Sequence, residues 1–198
     1  MSKASDTRTA ILKAARIAFG TLGYHATVMN ELVAGISLTR GALYYHFADK
    51  RDLFEAVYRE LALSVRAEAN THMARLPGGT WERLIAGLRA YLELVSRSSE
   101  IQRILLIDAP TVLAWRPWRA IQSESILGPL ADTLAELMNQ GVLASRPSIP
   151  LARLIIAGIS DAALTIAFAD DHGAAYTETS DALIAIMEGL RKPRSSPN

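Results

Sequence analysis

The 198-residue chain contains no cysteine. Disulfides, zinc fingers and thiol chemistry are thereby excluded, and a reducing compartment is compatible with the composition. Histidine is sparse: His25, His46, His72 and His172 are scattered, with neither an HExxH string nor a paired spacing. No dedicated metal site and no cofactor is expected. A Gly-rich phosphate loop, a Gly-x-Ser-x-Gly elbow and a carboxylate pair with supporting His are all missing, which argues against an enzyme. The segment Met1 to Thr9 is polar and lacks the apolar core of a signal peptide, so export is not indicated and the cytoplasm is the expected location. Convincing strand alternation between turn signals is also lacking.

What the chain does have is aliphatic residues at helical spacing. Half of its residues are hydrophobic and 21% charged, an ordinary globular balance, and the length suffices for one large or two small domains. The net charge is only +1, but it is unevenly spread. Residues 1–50 carry six cations (Lys3, Arg8, Lys13, Arg16, Arg40, Lys50) against Asp6, Glu31 and Asp49, a mildly basic head on a slightly acidic remainder.

The spacing predicts an all-α fold. A first helix is expected from about Asp6 to Leu22, with Ile11, Ala15, Ala18 and Leu22 in one stripe and Leu12 and Phe19 beside it; Gly23 ends it as a left-handed cap. A second helix starts after Thr27 as N-cap and lasts two turns. A third starts with Thr39 as N-cap, with Leu38 and Leu43 placed as a hydrophobic staple. Two short helices joined by a tight turn form a helix-turn-helix. On the third helix Leu43 and Phe47 share the inner side, whereas Gly41 and Tyr45 point away, Tyr44 and His46 flank them, and Arg40 sits at the amino end. This outer face suits a DNA groove: hydroxyls, imidazole and helix N-terminal amides bond phosphate, and an arginine reaches the O6/N7 edge of guanine.

Asp49 then caps a long fourth helix with Asp52 as its capping-box acid, running to about Leu76. Lys50 in the first turn opposes the helix dipole, and a phosphate partner would account for it. Pro77-Gly78-Gly79-Thr80 stops that helix. Further helices are expected at about 81–96, 100–108 and 115–139, the last kinked at Gly128-Pro129. Residues 151–170 are apolar on nearly every face and must be buried all round. Arg153 and mid-helix Asp161 argue against a membrane span there. A last apolar helix covers about 177–191, and the Pro/Ser-rich tail 192–198 reads as disordered.

Thr27-Val-Met-Asn-Glu-Leu-Val, Thr39-Arg-Gly-Ala-Leu-Tyr-Tyr-His-Phe and Asp49-Lys-Arg-Asp-Leu-Phe together resemble the DNA-binding domain of tetracycline-repressor-like (TetR) transcriptional regulators, from about Thr7 to Val57. The resemblance implies a DNA-binding domain at 1–50 and a helical effector-binding and dimerisation domain at 51–191. It further implies a ligand-responsive, homodimeric repressor of a palindromic double-stranded operator. By position it assigns Thr27, Tyr45, His46 and Lys50 to phosphates and Thr39, Arg40, Gly41 and Tyr44 to the groove. It differs at one turn: Ser37 stands where Gly is usual, and either Ser37 takes the left-handed conformation or the turn is rebuilt around Gly35.

The resemblance also places a dimer bundle on the last two helices, through Ile155, Gly158, Ile159, Ala162, Ile166, Leu183, Ile186, Met187 and Leu190. In the body, Asp108, Trp115, Trp118 and Arg119 are candidates to contact a small-molecule effector, with Leu88, Tyr91, Leu105 and Phe168 as further lining. Core packing is the alternative for each of them. A helical small-molecule binder without DNA-binding activity is the rival function.

Overall fold

A computed structural model describes residues 3–75 and 77–192; residues 193–198, most of the expected tail, lie outside them, as does Leu76. Among the described residues the regular elements are helical, with one isolated antiparallel bridge between Leu143 and Arg191. The elements are α1 (Lys3–Leu22), α2 (Met29–Ala34), α3 (Arg40–His46), α4 (Lys50–Ala74), α5 (Thr80–Arg97), α6 (Ser99–Ile101), α7 (Ala109–Val112), α8 (Trp115–Gln122), α9 (Gly128–Asn139), α10 (Ser148–Ala167) and α11 (His172–Glu188). Two π-helical runs, Gln102–Asp108 and Ser123–Leu127, join α6 to α7 and α8 to α9.

Packing divides the chain into two compact units that cut across the boundary expected at residue 50. One holds the residues up to Ser64 together with Ser98–Ile121, and the other holds Val65–Arg97 with the residues from Gln122 onward. In the first unit Ile11, Leu12, Ala15 and Phe19 of α1 are buried with Leu43, Phe47, Leu53, Phe54 and Val57. The inner stripe of α1 is thus rotated from the expected one: Phe19 and Leu12 lie inside it and Leu22 is exposed. Phe19, Tyr24 and Phe54 form an aromatic cluster with centroids 5.1–6.0 Å apart, a geometry that adds roughly 0.5–1.5 kcal/mol per pair beyond burial.

In the second unit α10 packs on α5, α9 and α11. Trp81 donates its indole N–H to Glu188 at 2.9 Å, and Arg191 bonds Glu188 while lying over the Trp81 ring, closing α5 onto the chain's last helix. Lys192 is tied down as well, its amide donating to the Val142 carbonyl, so order extends into the segment expected to be loose. By length and composition Ser148–Ala167 is apolar enough to cross a membrane, but its inner side is core and Arg153 and Asp161 are exposed on it.

The π-helical runs were not anticipated beyond a kink at Gly128-Pro129, and their cause is common to both. Each ends two residues before a proline, Pro110 or Pro129. A proline ring in an α-helix clashes with the carbonyl four residues back, and its missing N–H orphans that carbonyl. Widening the preceding turn relieves the clash. Accordingly Ala109 N–H bonds to Ile104 and Gly128 N–H to Ser123, five residues back in each case. The Glu124 carbonyl accepts from Arg66 at 2.9 Å.

Candidate nucleic-acid interface

The α2–α3 turn is built without glycine at its left-handed position. Leu38 N–H bonds to the Val33 carbonyl and Ser37 N–H to the Ala34 carbonyl, the paired bonds of a Schellman cap. The residue between must have positive φ, and Ser37 does, at +54°, while Gly35 is helical at −63°. The turn therefore keeps its usual geometry, and Ser37 bears a cost of roughly 1 kcal/mol relative to glycine.

That turn delivers α3 with Thr39 as N-cap, its hydroxyl oxygen accepting from Ala42 N–H at 3.1 Å. Leu43 and Phe47 are buried on the inner side. Arg40, Gly41, Tyr44 and Tyr45 are exposed, Tyr45 at 80%, and His46 is half-buried with its ring edge-to-face on Tyr45. The Arg40 guanidinium lies 5.4 Å from the Tyr44 ring centroid. A Cβ at Gly41 would meet only Thr39 Oγ1, at 3.8 Å. Internal packing therefore does not require glycine there.

Two of the expected phosphate contacts have internal partners. Thr27 is not the N-cap of α2; that position is Val28, which offers no side-chain bond. Thr27 is 3% exposed and donates its hydroxyl proton to the Gly23 carbonyl at 2.8 Å, leaving no side-chain proton for a phosphate. Lys50 donates to the His25 carbonyl at 3.1 Å and sits 4.6 Å from the Tyr24 ring centroid. Burial lowers its pKa below the ordinary lysine value. An ammonium has three donors, so one bond to His25 orients Lys50 and leaves others for a partner. Asp49 caps α4, accepting from Asp52 N–H at 2.8 Å, while Asp52 reaches one residue past the cap of the expected box and accepts from Ala48 N–H at 2.9 Å.

The effector candidates are divided between the two units. Leu105, Asp108, Trp115, Trp118 and Arg119 belong to the first unit, and Leu88, Tyr91 and Phe168 to the second. Trp115, Trp118 and Arg119 are brought together, with the indoles 5.6 Å apart and the guanidinium 4.7 Å from the Trp115 ring. Trp118 Nε1 is buried without a hydrogen bond of good geometry, although its N–H opposes the effect of burial on the neighbouring Tyr58 hydroxyl, whose pKa burial pushes up to about 12. Asp108 is engaged elsewhere: its Oδ2 accepts from Tyr24 N–H at 2.8 Å. Phe168 follows the last turn of α10 and is 73% exposed, so it lines nothing in its unit. Among the described residues no His/Cys/Asp/Glu group is placed to hold a metal.

The dimer candidates fall mostly on the inner faces of their helices. Ile155, Ile159, Ala162, Ile166, Leu183 and Met187 are buried within their own chain. The outward stripe of α10 is Leu154, Gly158, Asp161 and Thr165, continued past its end by Phe168, and on α11 Ala182 and Ile186 face out. Leu154 is 72% and Ile186 68% exposed. Of the expected set, Gly158 and Ile186 lie outward and Leu190 is half-buried.

Residues 11–57 match the family model for bacterial regulatory proteins of the tetR family, and residues 81–190 match that for tetracyclin repressor-like C-terminal domains. A TetR-family transcriptional regulator from Pectobacterium atrosepticum, known from its crystal structure, is 34% identical with a TM-score of 0.80, covering 98% of this chain and 100% of that one. The Transposon Tn10 TetC protein of Escherichia coli is 25% identical over 150 residues, 76% of this chain and 75% of that protein. The HTH-type transcriptional regulator AcrR of Shigella flexneri is 32% identical over 106 residues, 54% of this chain and 48% of that protein. With both halves matched in order and the helix-turn-helix geometry in place, the chain belongs to the TetR family of transcriptional regulators.

Proposed function

We propose that this regulator is a ligand-responsive repressor that binds a palindromic duplex as a homodimer, one α3 per half-site in the major groove. The observation that carries the reading is α3 itself. Leu43 and Phe47 fix the helix from within, and Arg40, Gly41, Tyr44 and Tyr45 stand exposed on the other side. Arg40 and Tyr44 read base edges, Thr39 and Gly41 allow close approach, and Tyr45, His46 and Lys50 bond phosphate. Thr27 contributes to the turn and not to the contact. The test is selection of duplexes from a random pool, followed by binding at increasing salt. A selected site with two-fold symmetry and affinity falling steeply with salt is expected; retention of no duplex would return the chain to its rival reading as a helical small-molecule binder.

Self-association is proposed through the outward stripes of α10 and α11, centred on Leu154, Gly158 and Ile186, since a stripe of exposed apolar residues on neighbouring helices is the usual mark of an interaction face. An effector is proposed to contact Trp115, Trp118 and Arg119, with the Tyr58 hydroxyl and Trp118 N–H as its hydrogen-bonding groups. Its action runs through α4, whose residues are shared by both units, and requires unequal affinity for the DNA-competent and DNA-incompetent arrangements. Small molecules that release the selected duplex, and lose that effect in Trp118→Phe, would support this assignment.

A further inference from the structure

The π-helical run Gln102–Asp108 is gripped by α1 and the α1–α2 turn at both ends. Before the run, Glu100 accepts two bonds from Arg16, at 2.9 and 2.8 Å, and this pairing raises the Arg16 pKa. At its end, Asp108 accepts from Tyr24 N–H at 2.8 Å. Two glycines make room: a Cβ at Gly20 would lie 2.7 Å from Glu100 Cγ, and one at Gly23 would lie 2.8 Å from an Arg103 guanidinium nitrogen. The turn so held is the one on which Lys50 rests, through the His25 carbonyl and the Tyr24 ring.

The two grips are eight residues apart. In an uninterrupted α-helix eight residues advance about 80° past two full turns, so Glu100 and Asp108 would face different directions. A π turn takes up one extra residue. The eight then cover the arc of seven, within about 20° of two turns, and both carboxylates meet α1 and its turn together. We propose that this run is a register switch: in the π register it clasps the α1–α2 turn and sets Lys50 for DNA, and in the α register it withdraws Asp108 from Tyr24 and releases that turn. Pro110 biases the run toward the clasped state, because the α register would bring its ring against the Leu106 carbonyl. The consequence for DNA rests on the DNA-binding reading above; the clasp itself does not.

The test is amide hydrogen exchange at Tyr24, read by NMR on the full chain without DNA, together with affinity for the duplex selected from a random pool. Pro110 is exposed, so Pro110→Ala removes no core atom and frees the run to become α-helical. Tyr24 exchange is expected to speed up about tenfold, the equivalent of one lost hydrogen bond, with several-fold weaker duplex binding. Asp108→Leu should do the same, and Asp108→Asn, whose carbonyl still accepts, should not. Deleting exposed Ile107 in the Pro110→Ala background restores the seven-residue spacing in a plain α-helix and should restore both readouts. Tyr24 exchange that is unchanged in Pro110→Ala, or not restored by the deletion, would overturn the switch, as would faster exchange with unchanged duplex affinity. Failure to select any duplex would sink the DNA-binding reading and leave the exchange results to judge the clasp alone.

Discussion

Ser37 is the one non-glycine residue at positive φ among the described residues, and its cost is conformational. Its φ of +54° is sterically costly for a residue with a Cβ, whereas glycine would be indifferent. Ser37→Gly is therefore expected to raise unfolding stability by roughly 1 kcal/mol in denaturant titration while leaving the recognition helix in place. Lys50 and Arg40 separate by kind of contact. Lys50→Ala should weaken binding to all duplexes alike and reduce the salt slope by about 1, whereas Arg40→Ala should cost about 1–3 kcal/mol on the selected site and relax preference at one base pair. Equal losses for Arg40→Ala on selected and random duplex would make it a phosphate contact. Tyr58 provides a pH test. Its folded-state pKa of about 12 lies above the usual 10, so the neutral phenol's contribution is complete below pH 10 and lost as pH rises to 12. The loss is on the order of 2–3 kcal/mol, and it should be absent from Tyr58→Phe measured in parallel.

At the scale of elements, what could be read in the sequence was local. The N-caps at Thr39 and Asp49 and the left-handed Gly23 each depend on residues within four positions and stand as read, whereas Asp52 bonds Ala48 one residue outside the expected box. Partners remote in sequence were out of reach: Lys50 on His25, and Asp108 on Tyr24, are 25 and 84 residues apart. Thr27 was misread as an N-cap because its preference for caps says nothing about a buried hydroxyl bonded to Gly23. The phase of α10 was not legible for a different reason. A helix apolar on every face carries no signal for which stripe its own chain covers, and that stripe holds Ile155, Ile159 and Ile166. The two π runs did leave a trace, a proline shortly after each. The element-scale expectation is that Leu154→Glu or Ile186→Glu yields a folded monomer in sedimentation, whereas Ile159→Glu, which buries a charge in the core, unfolds the chain.

For the whole molecule, the proposed repressor needs both a head that reads DNA and a face that pairs with a second copy. One α3 offers few base contacts, so specificity requires two half-sites held by two-fold symmetry, about one helical turn apart. On the proposed reading, the exposed stripes of α10 and α11 would supply that symmetry. The most direct measurement is the stoichiometry and salt dependence of binding to the duplex selected from a random pool, by sedimentation across a range of ionic strength. Two chains per palindromic site are expected, with the logarithm of affinity falling linearly against that of salt by about 0.9 for each phosphate neutralised. One chain per site, or an affinity indifferent to salt, would contradict the account.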